Sequence, residues 1–342
     1  MVKSEIEKLI EQVAKEHDVP EKIVEKALKN AIAIAIKRDK GIREELEVDF
    51  TDEGIKVYTV KRQGNKKLKF PLNISPEDVN RIAAFAAKEE FFRQLERAEQ
   101  ERGFLEYKEL EGEIVYGRVR KKLEGEDLLV DLGKIDGVLP KREQIPTEHY
   151  EVGDSVKALL LEVRKLRGFP YLVLSRTHPG FLKKLLEQEV PEIQEGLIEV
   201  KAVARVPGER AKVAVDSREM RMDPVGIVVG LKGTRIQKVS EELSGEKIDV
   251  IRWSDEPEEL IKRALSPAHP VKVKLFPHEK RAEVAVPDEE LSLAIGRKGV
   301  NVRLASKLTG WHIDVLSLKD FEKLEELRKK EHEGEESAEA QD

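Results

Sequence analysis

Gly230-Leu231-Lys232-Gly233-Thr234-Arg235-Ile236 and, 66 positions on, Gly296-Arg297-Lys298-Gly299-Val300-Asn301-Val302-Arg303 are the stretches on which the fold turns. Each is preceded by two strand-like runs, at 199–206 and 210–215 in one case and at 271–276 and 282–286 in the other. An apolar helix leads into each loop and a second helix leaves it. A last strand follows, carrying Ile248-Asp249-Val250 or Ile313-Asp314-Val315. The repeated order points to a duplicated fold. In such a unit the loop joins two helices. Its glycines let the backbone come close to a phosphodiester, and the second helix presents its positive amino end. Lys232, Arg235 and Lys238, and in the second copy Arg297, Lys298 and Arg303, add cations there. Ile227, Ile236 and Ile248, with Ile295, Val302 and Ile313, offer an apolar floor for bases. A lone Gly-x-x-Gly is usually no more than a helix cap. Two copies in matching contexts, each with a cation inside the loop, exceed what a bare turn requires. The reading is single-stranded RNA binding.

Charge sets a condition on that reading. The formal net charge is −6, yet the last twelve residues hold Glu331, Glu333, Glu335, Glu336, Glu339 and Asp342 with no Lys or Arg, so the rest of the chain is balanced. RNA binding then rests on local basic patches, which displace counterions where they meet phosphates. Cysteine is absent, which excludes disulfides, thiolate metal sites and a Cys nucleophile and suits a cytoplasmic protein. No run approaches the roughly 20 apolar residues of a membrane span, and the acidic amphipathic start at Met1-Val2-Lys3-Ser4-Glu5 has no signal-peptide character. No membrane contact is expected. Charged residues at 38% with very few Asn resemble a thermophile composition.

Toward the amino terminus, Ser4 and Glu7 form a capping box. Ile6, Leu9, Ile10 and Val13 follow at helical spacing, giving a helix that ends near His17. Pro20 suits the first position of a second helix, whose stripe runs through Ile23, Val24, Ala27, Leu28, Ala31, Ile32, Ala35 and Ile36. Leu46, Val48 and Phe50 alternate as a strand, Asp52-Glu53-Gly54 turns, and 55–60 returns. Ser75-Pro76 starts a long helix through Ile82, Phe85, Phe92 and Leu95 toward Gly103. From 111 to 176 the pattern changes to short strands at 113–119, 128–132, 137–140, 155–163 and 171–175, separated by turns that include Gly133, Gly153-Asp154 and Arg167-Gly168. That spacing suits a small five-stranded barrel. The fold class is therefore an α+β multidomain protein.

Catalysis finds no support. His17, His149, His178, His269, His278, His312 and His332 are scattered without metal-ligand spacing. Neither G-x-x-x-x-G-K-[ST] nor G-x-G-x-x-G occurs. Carboxylate pairs such as Glu289-Glu290 are too common here to single out. No enzyme activity, cofactor or metal is expected.

The two loops and their surroundings resemble the KH domain in its type II order. The wider run Asp223-Pro224-Val225-Gly226, then Gly230 to Ile236, then Gly245-Glu246-Lys247-Ile248-Asp249-Val250, is similar to the NusA family of bacterial transcription factors. So is Leu293-Ala294-Ile295-Gly296-Arg297-Lys298-Gly299-Val300-Asn301-Val302-Arg303-Leu304-Ala305-Ser306. The resemblance implies an amino-terminal RNA polymerase-binding domain at 1–107 and an OB-fold barrel of S-one type at 108–179. It further implies type II KH domains at 180–266 and 267–323, leaving 324–342 as a charged, disordered tail. The amino-terminal domain is short between Phe50 and Ser75, and beyond Ser317 only a charged helix and tail are expected, without the acidic repeats that some members append. In the barrel, Glu126 and Leu129 stand where RNA-stacking aromatics are common and Pro140 where a His is common. Arg118, Arg120, Lys121 and Lys122 remain as candidates to hold phosphates, against the alternative of a solvated strand edge, so the barrel is expected to be an auxiliary contact or a spacer.

On this resemblance the chain is a transcription factor that binds RNA polymerase and single-stranded nascent RNA and modulates pausing, termination and antitermination, with other elongation factors as further partners. The RNA contacts fall on Gly230, Leu231, Lys232, Gly233, Arg235, Ile236, Lys238, Gly296, Arg297, Lys298, Gly299, Asn301 and Arg303. The alternative is an RNA-binding accessory module of an RNA-processing or ribosome-assembly complex.

Overall fold

A computed structural model describes residues 3–16, 19–63, 66–75, 77–79, 81, 92, 95, 100–166, 169–219 and 221–339, with main-chain description only at 3–5, 62–63, 66, 169 and 331–339. The Ser4 half of the capping box, the Arg167-Gly168 turn and most of the long helix expected from Ser75-Pro76 lie outside the described residues. The chain divides into two compact units. One comprises Met1–Glu109, Gly133–Ile135 and Val163–Tyr171, and the other holds the remainder.

In the first unit, helices α1 (Lys3–Glu16) and α2 (Glu21–Lys40) bury the faces that their three- and four-residue spacing defines, with Ile6 and Ile10 on one and Val24, Leu28, Ala31, Ile32 and Ile36 on the other. Pro20 sits one residue earlier than expected: its ψ of 136° makes it the cap and not the first helical residue. Strands β1 (Glu45–Thr51), β2 (Gly54–Gln63) and β3 (Lys66–Pro71) form an antiparallel sheet in that order. Leu46, Val48 and Val57 join the helices in one core, together with Val79 and Leu95. The third strand was not expected. In Lys66-Lys67-Leu68-Lys69-Phe70-Pro71 the apolar alternation is embedded among lysines, and Leu68 and Phe70 stay exposed on an edge strand.

The second unit opens with most of the barrel, whose strands are β4 (Ile114–Lys122), β5 (Leu128–Asp131), β6 (Asp136–Leu139), β7 (Ser155–Leu166) and β8 (Phe169–Ser175), the end of β7 from Val163 and the start of β8 to Tyr171 being counted with the first. The closed order is β4-β5-β6-β8-β7, with β7 pairing back onto β4. The five strands fall where the turn spacing places them.

The first repeat then runs α3 (Pro179–Glu189), a short α4 (Pro191–Gln194), β9 (Ile198–Val206), β10 (Arg210–Ser217), α5 (Pro224–Val229), the first loop, α6 (Thr234–Glu242) and β11 (Lys247–Arg252). The second runs α7 (Pro257–Ala264), β12 (Lys272–Phe276), β13 (Arg281–Val286), α8 (Leu291–Ile295), the second loop, α9 (Val300–Thr309) and β14 (His312–Ser317). In both, the central strand pairs antiparallel with the strand before it and parallel with the last one, which leaves β11 and β14 at sheet edges.

Two boundaries differ from the sequence reading. Helix α7 had been placed with the first repeat, but Leu260, Ile261 and Ala264 are buried with Val284, Leu304 and Leu308 of the second. An amphipathic helix between two similar domains shows its buried face in sequence but not its partner. Residues 324–342 had been taken as a disordered tail, whereas helix α10 (Leu318–Glu339) continues through most of them. It is anchored by Phe321, 2% exposed, and by Arg328, which makes two hydrogen bonds to Glu283 on β13 at 2.6 and 2.7 Å.

The two repeats share a core. Ala204 and Ala214, on the face of the first sheet turned away from its own helices, pack with Leu304 and Leu308 of α9. The barrel is tied to the first repeat by Arg176, whose guanidinium is ion-paired with Glu148 at 2.6 Å and with Glu242 at 3.0 Å. The fully buried pair Arg205–Glu246 at 2.7 Å adds to this joint, with Arg205 also donating to the carbonyls of Arg176 and His178. Paired and hydrogen-bonded in this way, the buried charges hold a fixed geometry.

Candidate nucleic-acid interface

The two loops have the same backbone. Gly230 has φ 77° and ψ 171°, against 75° and 167° at Gly296. Lys232 has φ 52° and ψ 27°, against 51° and 27° at Lys298. The hydrogen bonds also repeat: the Gly233 amide donates to the Gly230 carbonyl and the Gly299 amide to the Gly296 carbonyl, both at 3.0 Å. Glycine is required at the first position for space as well as for φ. A Cβ at 230 would come within 2.8 Å of Arg235 Cγ, and one at 296 within 2.7 Å of Asn301 Cβ. Each loop then opens into a helix, α6 or α9, whose cap residue is a glycine in the left-handed region, so no side chain covers the first amides.

The expected contact residues separate into two groups. Leu231, Lys232, Arg297, Lys298 and Arg303 are exposed, and none of these four cations has an ion-pair partner among the described residues. Leu231, at 83% exposure, stands at the tip of the first loop. Arg235 is instead engaged within the fold, donating to Glu192 at 3.0 Å and to the Ile227 carbonyl at 2.9 Å. Asn301 is 1% exposed and donates to the carbonyls of Leu265 at 3.1 Å and Ala294 at 3.0 Å. These two residues occupy the same place in the repeat, five after the first glycine, and both brace the loop against the helix before it. Lys238 pairs with Glu189 at 2.7 Å while remaining largely exposed. Ile236 is half-buried and packs into the core of the first repeat.

Beside the second loop lies a groove of about 400 Å³, lined by Ile295, Val302, Ile313, Val315, Leu316 and Leu324, with Glu283 and Asp314 at its polar side. Ile295, Val302 and Ile313 are the floor expected from sequence. Leu324 comes from α10, and nothing in the repeat pattern points to it. The groove runs along β14, whose free edge leaves main-chain donors and acceptors available beside an apolar surface. Flat apolar space, edge amides and unpaired cations on a loop suit a single strand with its bases splayed out. On the barrel, Glu126 is exposed in a turn. Arg120 pairs with Asp136 and Lys122 with Glu151, so half of the expected basic run is already neutralised.

Comparison with known proteins agrees with this geometry. Residues 176–253 match the model of the NusA-like first KH domain, and residues 257–323 match that of the NusA-like second KH domain. The transcription termination/antitermination protein NusA of Halalkalibacterium halodurans is 40% identical over 302 residues, covering 88% of this chain and 74% of that protein. The protein of the same name from Thermus thermophilus is 43% identical over 287 residues, or 83% and 72% of the two chains. That of Bacillus subtilis is 44% identical over 253 residues, or 74% and 68%. Likeness of this extent, across the barrel and both repeats, shows that the chain belongs to the NusA family.

Proposed function

We propose that this transcription factor, which is not an enzyme, docks on RNA polymerase through residues 1–107. Its two Gly-x-x-Gly loops hold single-stranded nascent RNA, and in this way it modulates pausing, termination and antitermination. The observation that carries the RNA half is the near-identity of two loops that each expose cations, unpaired among the described residues, beside helix amides that no side chain caps. The contacts fall on Gly230 to Gly233 and Gly296 to Gly299 with Arg303, Ile236 and Lys238, while Arg235 and Asn301 hold the loops in shape. The polymerase half accords with the role in transcription termination and antitermination that the names of the relatives state. Tethering near the exit path raises the local concentration of RNA, so contacts weak in themselves suffice.

Replacing Leu231-Lys232 and Arg297-Lys298 with Asp pairs reverses charge at exposed positions only. RNA affinity is expected to collapse while the unfolding transition stays in place, and unchanged affinity in a folded variant would sink the clamp. Deleting residues 1–107 is expected to abolish polymerase pull-down while sparing RNA binding.

A further inference from the structure

The second unit holds a cleft that the loops do not use. It measures about 560 Å³ and is lined by Tyr116, Gly117, Arg118, Ser155 and Lys157 of the barrel, together with Tyr150, Arg176 and Glu242. Tyr116 is 62% exposed, and its hydroxyl has no hydrogen-bond partner among the described residues. Arg118, two residues along the same strand and therefore on the same face, is exposed and unpaired among the described residues. We propose that this cleft is a further RNA subsite in which one nucleobase stacks on Tyr116 while Arg118 takes the adjoining phosphate. The inference rests on the RNA-clamp reading and extends it to a place where the absence of aromatics at 126 and 129 had suggested no stacking.

Three observations favour a base as the occupant. The carboxylates of Glu148 and Glu242 that would repel RNA are already held by Arg176 at 2.6 and 3.0 Å. Lys157 places its ammonium 5.5 Å from the Tyr116 ring centroid and 3.7 Å from Glu242, fixing the ring in a cationic setting that an aromatic base tolerates. Glu242 is also the last residue of α6, the helix that begins at the first loop. At 1.5 Å per residue the cleft lies one nine-residue helix, about 13 Å, from Gly233. A strand clamped at the loop needs only a short extension to reach it. An exposed ring beside an unpaired arginine is the combination that binds single strands without regard to sequence.

The test uses the full chain and an oligoribonucleotide series, from roughly four nucleotides, enough for one clamp, upward in single steps. Wild-type affinity is expected to jump at the length that reaches the cleft. Tyr116→Ala should remove that jump, a loss of roughly five- to hundredfold for one stacked base, with no change on the shortest RNA; Tyr116→Trp should keep it. Identical length profiles for wild type and Tyr116→Ala overturn the subsite and leave the clamp standing. Failure of the wild type to bind any length overturns both. Photocrosslinking of 5-iodouridine RNA to the wild-type chain gives a second reading that needs no variant. An adduct on the peptide carrying Tyr116 supports the subsite, and adducts confined to the two loops overturn it.

Discussion

Gly296 and Asn301 are packed so closely that a Cβ on the glycine would lie 2.7 Å from the asparagine Cβ and 2.9 Å from its amide nitrogen. The asparagine in turn donates to the carbonyl of Ala294 at 3.0 Å, two residues before Gly296 on α8. The loop is thus clasped from beneath by a buried side chain, and its outward conformation depends on a residue that RNA need not touch. Asn301→Ala leaves the carbonyls of Leu265 and Ala294 without their donor and should cost about 1–3 kcal/mol in stability, read from urea unfolding. Gly296→Ala should instead distort the loop, because both the φ of 75° and the space refuse a Cβ. It is expected to lose RNA affinity at the second loop out of proportion to any loss of stability.

Salt dependence distinguishes free cations from paired ones. Lys298→Ala and Lys232→Ala each remove a cation that has no ion-pair partner among the described residues. Each should lower the slope of log affinity against log salt by about 0.7, the single-strand value for one lost phosphate contact. Lys238→Ala removes a lysine already bound to Glu189 and should change the slope by a clearly smaller amount. Equal changes for all three, in titrations at four or more salt concentrations, would show that the Glu189 pair opens when RNA binds.

Why Asn301 and Arg235 read as RNA contacts from sequence while the structure turns them inward has a physical cause. Glycine at 230 and 296 announces its backbone in the sequence, since few other residues tolerate that φ, and helical periodicity announces α6 and α9. A polar side chain after such a loop has two outlets, solvent or the preceding helix. The choice is set by tertiary neighbours, Glu192 for Arg235 and Leu265 for Asn301, that lie 43 and 36 residues away. The length of helix α10 was illegible for a similar reason, since the charged helix after Ser317 was expected to give way to a tail at 324. Its charges read as solvated, yet Arg328 meets Glu283 45 residues earlier. The barrel and the repeat order, by contrast, depend on local turns and alternation and were legible.

Glu283 ties acid sensitivity to α10. The Arg328 guanidinium, with Arg281 beside it, holds its carboxyl well below the ordinary 4.5, at about 2. A carboxylate depressed in the folded state contributes stability that is fully present above its unfolded value and is lost as pH falls through the folded one. Docking of α10 should therefore be insensitive to pH from neutrality down to about 5 and weaken between about 4.5 and 2. Hydrogen exchange of the helix amides across that range reads the loss. Glu283→Gln, which cannot ionise, should weaken docking at neutral pH and flatten the acid limb attributable to this residue. An unaltered acid limb would place the sensitivity elsewhere.

Lys232 and Lys298 hold left-handed φ values of 52° and 51°, a region that costs a side chain with a Cβ on the order of 1 kcal/mol and costs glycine nothing. A turn selected only for stability would carry glycine at both places. Lys232→Gly and Lys298→Gly should therefore leave the unfolding free energy unchanged or raise it by up to about 1 kcal/mol, since relief of the backbone is offset by the greater freedom of glycine in the unfolded chain. The same change at the exposed helical Lys307 should cost about 1 kcal/mol. RNA affinity should move the opposite way, falling with each lost loop cation. A pair of loop variants that are no less stable than the wild type and bind RNA more weakly would show that the strain is retained for the ligand. Loss of stability in both would mean that the lysines serve the fold itself.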